Sequence, residues 1–489
     1  VAEKVLSLAQ SAKRSTQSAV ENHVGYYILG EGQQKLSQAF GIKKIGLRGF
    51  GEILRRHSNT TYFTSLILLF SLFFTGLLLA IHSLVDPNPV QYIIIGLLLA
   101  IPVGEAVVRT LHTLLDRIFP PRRLPKIEFR NGIPIDYSTM VVIPTLLTTK
   151  DDLKNLLRKL EVYHLANHDP HIYFALLTDF VDAPEKEMPE DGALLEAALK
   201  GIATLNERYP HPEESAYFYF LHRERRYNPR EGVWMGWERK RGKITEFNSL
   251  LAGSAETSFS VISGDRDLLK QIRYVITLDA DTRLPREAAM RLIGTITHPL
   301  NAPAIDEEKG IVVKGYGILQ PKITVSNPSA NRTWFSLLFS GQSGIDIYSG
   351  AVSNPYQDLF SRGIFTGKGI YDARIFDRLL EGSFLRAGLV TDVELQDDYP
   401  SSFLSSLARK HRWVRGDWQL LPWLKRSFVN QDGIKTPVHL PPITRWQMID
   451  DLRQSLLAPA LLLLIWLGLL ILPGQATQLQ PFHWGIIGL

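Results

Sequence analysis

The sequence predicts an α/β protein: a domain built on a parallel sheet, inserted between transmembrane helices and preceded by a helical segment. Three observations carry that prediction. From Thr139 to about Pro400 short β-branched and aromatic runs alternate with helix-patterned segments, as in a parallel sheet whose ligands sit at the carboxyl ends of its strands. The run Ile272–Leu278 stops abruptly at Asp279-Ala280-Asp281, two carboxylates one residue apart. Tyr62–Val85 holds no Asp, Glu, Lys or Arg over a length that spans a bilayer.

At 489 residues there is room for two or three units, each with its own core. A mean hydropathy of −0.02 is high for a chain with 21% charged residues, so apolar blocks are mixed with an ordinary charged domain. The net charge of +5 comes from dispersed Lys and Arg, which points to a membrane surface or anionic ligands and not to nucleic acid. Without cysteine there is no disulfide framework, thiolate zinc site or cysteine nucleophile.

Val1–Gln38 has helical periodicity interrupted at Gly30-Glu31-Gly32, and residues 1–57 read as the end of a preceding helical domain. The chain begins without methionine and stops inside an apolar run, Phe482–Leu489, so it reads as an internal piece of a larger polypeptide. Gly41–His57 is basic. Residues 58–119 form a transmembrane hairpin: Tyr62–Val85, the turn Asp86-Pro87-Asn88-Pro89, and Tyr92–Val108 returning. Glu105 and Arg109 lie four apart, placed to pair. Basic residues flank both outer ends of the hairpin, including Arg122-Arg123, while its turn has none, so both ends face the cytoplasm.

The domain from 120 to 410 then reads as strand Met140–Ile143 ended by Pro144, helix Asp151–His168, strand His171–Leu177, helix Gly192–Arg208, strand Ala216–Leu221, helix Thr245–Ala252 and strand Tyr274–Leu278. Thr145, Asp179 and Asp279 fall at strand ends. Residues 411–450, with Trp413, Trp418 and Trp423 among Arg415, Lys425 and Arg426, read as amphipathic helices in the headgroup layer. Leu456–Leu472 is a third span, and Phe482 begins a fourth within 451–489.

In extended backbone, side chains at i and i+2 point the same way, so Asp279 and Asp281 can share one hard divalent cation together with substrate phosphates. Asp265-Arg266-Asp267 has the same spacing but opens a helix, where acids complement the N-terminus. Asp179 is either a turn-former or an acceptor for a base or ribose. Glu238–Asn248 is either a solvated basic loop or a phosphate site before a helix start. The stretches Gly315–Pro321 and Phe365–Gly369 are glycine-bearing turns after strands, or places where a sugar meets backbone.

Together these features resemble a membrane glycosyltransferase of the GT-A (Rossmann-like) kind. Leu176–Phe180, Val233–Lys243, Gly315–Pro321, Gly367–Asp372 and Arg412–Gln419 resemble, from about His23 to Leu424, the transferase region of cyclic β-1,2-glucan synthases, glycosyltransferase family 84. The resemblance implies UDP-glucose as donor, Mg²⁺ or Mn²⁺, inversion at the anomeric carbon, a growing β-1,2-glucan as acceptor, and a multi-pass protein of the bacterial inner membrane with its catalytic domain in the cytoplasm. It assigns Asp279 and Asp281 to metal and diphosphate, Thr145 and Asp179 to the uridine side, and Lys243 with Asn248 to the nucleotide loop. Lys368, Arg412, Trp413, Asp417, Trp418 and Gln419 fall on the acceptor and diphosphate side. Arg409 stands where processive transferases have Gln in Gln-x-x-Arg-Trp. The family's Ser-His-Asp-Leu-Leu-Glu-Gly is replaced by Arg374–Gly382 without the His-Asp, which leaves Asp377 and Glu381 as the nearest carboxylates for a general base. The competing readings are a transporter, a catalytically inactive sugar-nucleotide scaffold, and a transferase of cellulose- or hyaluronan-synthase type.

Overall fold

The computed structural model describes residues 1–14, 20–30, 32–41, 47–85, 88–119, 121–213, 215–340, 354–378, 384–425, 427–429 and 435–471. The chain divides into two compact units, one of residues 1–43, 122–357 and 361–402, the other of residues 44–121, 358–360 and 403–489.

The first unit is built on one eight-stranded sheet. Its strands are β1 (Thr139–Leu147), β2 (Ile172–Phe180), β3 (Phe218–Arg223), β4 (Phe259–Ser263), β5 (Tyr274–Thr277), β6 (Ile318–Val325), β7 (Gly369–Asp372) and β8 (Ala387–Asp397), in the order β8-β6-β7-β5-β1-β2-β3-β4. The central β5-β1-β2-β3 ladder is parallel, as alternation with helices requires. The expected all-parallel sheet is corrected at two places: β7 runs antiparallel to both β5 and β6, and β4 antiparallel to β3. Through most of their length β1, β2 and β3 are buried, which is why they read as continuous apolar runs and not as alternations. Helices Lys150–Ala166 and Asp191–Arg208 bury Leu153, Leu156, Leu160, Leu194, Ala198 and Ile202 in the same core.

Pro144 does not end β1. Leu278 N donates to Val142 O at 3.0 Å, so Val142, and with it Pro144, faces β5. The β5 pairing stops at Thr277, opposite Val142. The missing N–H of Pro144 therefore points where no partner strand continues, and β1 runs on to Leu147 against β2. Asp265 caps the short helix Arg266–Leu269, accepting from Asp267 N at 2.8 Å.

Among the described residues the second unit contains two helices long and apolar enough to cross a membrane, Ser58–Val85 and Pro89–Ile118. A capping box between Asn88 and Gln91 starts the second. It is longer than the expected Tyr92–Val108 because the helix continues as an amphipathic segment to Ile118. Glu105 accepts from Arg109 as its spacing required. It is also held by Arg453 at 2.8 Å, which in turn meets Asp450 at 2.7 Å. Helix Leu457–Ile471 covers the expected third span. It meets Pro442–Ser455 at a 44° bend, and only together are the two long and apolar enough to cross a membrane. The aromatic helix starts earlier than expected, at Phe403, and runs to Gln419 with no buried residue. The run from Phe482 lies outside the described residues.

Candidate active site

Beyond β5 the chain turns instead of continuing extended. Thr282 N donates to Asp279 O at 3.0 Å, closing a turn with Asp279 first and Asp281 third. This corrects the expectation of both acids on one extended face, although the carboxylates remain within electrostatic reach of each other. Lys159 donates to Ala280 O and the Tyr163 hydroxyl to Thr282 O, pinning the turn from helix Lys150–Ala166. From the end of β8, Asp397 Oδ1 accepts from Thr282 Oγ1 at 2.6 Å.

Two further ammonium groups, besides that of Lys159, converge on this turn. Lys240 reaches Asp279 and also donates to Gly367 O at 3.2 Å. Lys368 lies 3.0 Å from Asp279 and is bonded to Asp397. Burial pulls the Asp279 carboxyl upward, but Lys240 and Lys368 outweigh it and hold the group below the usual carboxylate range. Burial dominates at Asp281 and, joined by the neighbouring Asp397 and Asp279 carboxylates, outweighs the opposing pull of Lys368, so its pKa is raised. Burial disfavours the charged Lys368, yet Asp279 and Asp397 together raise its pKa.

A second charged cluster is fully buried. Asp179, 2% exposed near the end of β2, accepts from Arg223 Nε at 2.8 Å and Nη2 at 3.0 Å, and from Lys243 Nζ at 2.9 Å. Arg223 also donates to the carbonyls of Trp237 at 3.0 Å and Arg239 at 3.1 Å. Lys243 reaches Thr145 O at 2.5 Å, so the Thr145 carbonyl is the group it presents to this cluster. Burial lowers the Lys243 pKa to about 8 despite the Asp179 carboxylate. A side chain at Gly236 would stand 2.5 Å from the Asp179 carboxyl, so only glycine lets that backbone approach.

The stretch Arg239–Lys243 is not a loop. Glu238 and Arg239 have φ of 44° and 51°, and the helix begins at Arg239, six residues before the expected start, because these left-handed residues replace a capping side chain. Lys240 and Lys243 thus leave one helical turn, one toward Asp279 and one toward Asp179. Further along that helix, Asn248 Oδ1 accepts from the Tyr371 hydroxyl at 3.0 Å. Phe365–Gly369 precedes β7 and does not follow a strand, contrary to expectation.

Of the residues expected to line a site, Asp279, Asp281 and Lys368 form one cluster and Thr145, Asp179 and Lys243 another. Arg412, Trp413, Asp417, Trp418 and Gln419 lie on helix Phe403–Gln419 in the second unit. There Arg409 stacks over the Trp413 ring at 5.0 Å, Trp418 Nε1 donates to Ser455 Oγ at 3.1 Å, and partial burial raises the Asp417 pKa to about 6. Glu381 and the Asp377 side chain lie outside the described residues. Arg223, Lys240 and Asp397 were not singled out from the sequence. Asp397 carried no comparable signal, since it closes a strand, Ala387–Asp397, in which polar residues alternate with apolar ones.

Among the described residues no three His, Asp or Glu side chains gather so as to hold a metal ion by themselves. Asp279 and Asp281, with Asp397 behind them, bring carboxylate oxygens to a turn that Lys159, Lys240 and Lys368 also reach. Such a donor set fits a hard divalent ion that brings substrate phosphate oxygens as its remaining ligands.

No known family model matches the chain. Over 402 residues, 78% of this chain, it is 40% identical to the cyclic β-(1,2)-glucan synthase NdvB of Rhizobium meliloti (strain 1021). The chain is a cyclic β-glucan synthase relative. The match spans 14% of the length of that synthase.

Proposed function

We propose that this chain is the sugar-transfer segment of a membrane-bound, inverting glycosyltransferase of GT-A type that adds glucose from UDP-glucose to a growing β-1,2-glucan. The observation that carries the reading is the paired-acid turn after β5, met by Lys240 and Lys368, in a chain 40% identical to a cyclic β-(1,2)-glucan synthase. The proposed location is the bacterial inner membrane with the α/β unit in the cytoplasm, supported by the basic residues flanking the two apolar helices.

Asp279 and Asp281 would hold Mg²⁺ or Mn²⁺, which when bound neutralises charge on the diphosphate. Lys240 and Lys368 turn from Asp279 to diphosphate oxygens, stabilising the charge that grows on the leaving group as an acceptor 2-hydroxyl attacks C1 of glucose from the opposite face. Such fixed cations are usually a large share of catalysis. Asp397 positions Lys368 and the turn through Thr282. Asp179 and Arg223 fix the helix that carries Lys243 and Asn248 beside the uridine. Asp377 and Glu381 are the carboxylates proposed to take the acceptor proton, and Arg412 and Trp413 the groups proposed to meet the diphosphate and acceptor sugar.

Incubating membranes that contain the full protein with labelled UDP-glucose and Mg²⁺ or Mn²⁺ should give β-1,2-linked labelled glucan, abolished by chelation. UDP binding without turnover would instead favour the inactive scaffold, and label in a β-1,4 product the cellulose-synthase type.

A further inference from the structure

A group of arginines away from the paired-acid turn has no part in that chemistry. Ser361 and Arg386 are non-glycine residues with φ of 54° and 53°, a backbone conformation that persists only where surrounding contacts enforce it. Arg122 donates to Ser361 Oγ, and Arg386 Nε donates to Ser361 O at 3.2 Å. Arg386 also lies over the Tyr316 ring, 5.7 Å from its centroid.

The third member, Arg362, follows Ser361 and is half-buried. Among the described residues its guanidinium has no hydrogen-bond or ion-pair partner. The charge acting on it is that of Arg386, and burial together with Arg386 lowers its pKa to about 10. A half-buried guanidinium facing another cation keeps its charge at a cost unless an anion joins it, and five donors in a planar fork suit phosphate oxygens. Arg122 follows the second apolar helix, which ends at Ile118, by four residues. The covalent chain alone keeps it within roughly 15 Å of that helix end.

We propose that Arg122, Arg362 and Arg386 form a phosphate-binding site, and that its ligand is the headgroup of an acidic phospholipid. Arginines next to the cytoplasmic end of a membrane helix are where such headgroups are recognised. Free phosphate shares the chemistry, and the test separates the two.

The full chain, extracted in mild detergent and mixed with phosphatidylglycerol or phosphatidylcholine, would be weighed intact by native mass spectrometry beside an Arg362→Gln variant. Because Arg362 holds nothing in the described fold, the variant should melt at the wild-type temperature in phosphatidylcholine. The expected result is one retained phosphatidylglycerol per wild-type chain and about ten-fold weaker retention by the variant. Inorganic phosphate should displace it only weakly. Inorganic phosphate binding that Arg362→Gln abolishes, with no preference for phosphatidylglycerol, would uphold the anion site and overturn the lipid. Equal retention by both proteins, or no preference for either anion, would overturn the site.

Discussion

Arg223 is fully buried, so the effect of changing it is governed by what meets its guanidinium, and Asp179 takes both of its strongest bonds. Removing Arg223 leaves the buried Asp179 with Lys243 as its remaining cation, so the cost stays at or below the roughly 3–5 kcal/mol of a buried pair broken outright. Arg223→Met should therefore lower the thermal melting of the solubilised chain by several degrees and release nucleotide as well. An unchanged melting temperature would show that Lys243 alone compensates Asp179. Lys243 gives a pH signature. Its pKa is about 8 when folded and near 10.5 when unfolded, so between those values the unfolded chain holds a proton that the folded chain has lost. Stability contributed by this group thus rises with pH across that window, by at most roughly 1.4 kcal/mol per pH unit. Melting curves from pH 7 to 10.5 should show the rise in wild type and a flatter profile in Lys243→Met.

At the scale of elements, two substitutions on the sheet should behave in opposite ways. Pro144→Ala adds an N–H that faces no strand, so its effect on melting should stay within about 1 kcal/mol. Gly369→Ala puts a methyl group 2.1 Å from Leu319 O at a φ of +151°, and should unseat β7 together with the neighbouring Lys368. The same elements show what a linear reading can reach. β1, β2 and β3 were legible because strands buried on both faces are continuous apolar runs. β4 and β7, both antiparallel to their neighbours, were not read as strands at all, being only five and four residues long. The carboxylate pair was visible after β5, but its turn was not, since the turn is held by Lys159, Tyr163 and Asp397 from distant segments. Lys240 lay within a basic stretch already noticed. Only the left-handed entry at Glu238 and Arg239, which departs from ordinary capping signals, sets it on a helix aimed at Asp279.

For the whole molecule, the two apolar helices and their flanking charges make a topological prediction. The chain has no cysteine, so single introduced thiols report accessibility cleanly. Asn88→Cys, at the hairpin turn, should react with an impermeant maleimide in intact cells, while Lys150→Cys should react only after permeabilisation. The reverse pattern would invert the orientation. The central claim is that the acidic turn after β5 is where a sugar nucleotide is held for transfer. Its most direct test is the rate at which membranes carrying the full protein with Asp279→Asn incorporate labelled glucose from UDP-glucose. The account predicts a loss of at least about 100-fold with the melting temperature nearly unchanged, and incorporation close to wild type would contradict it.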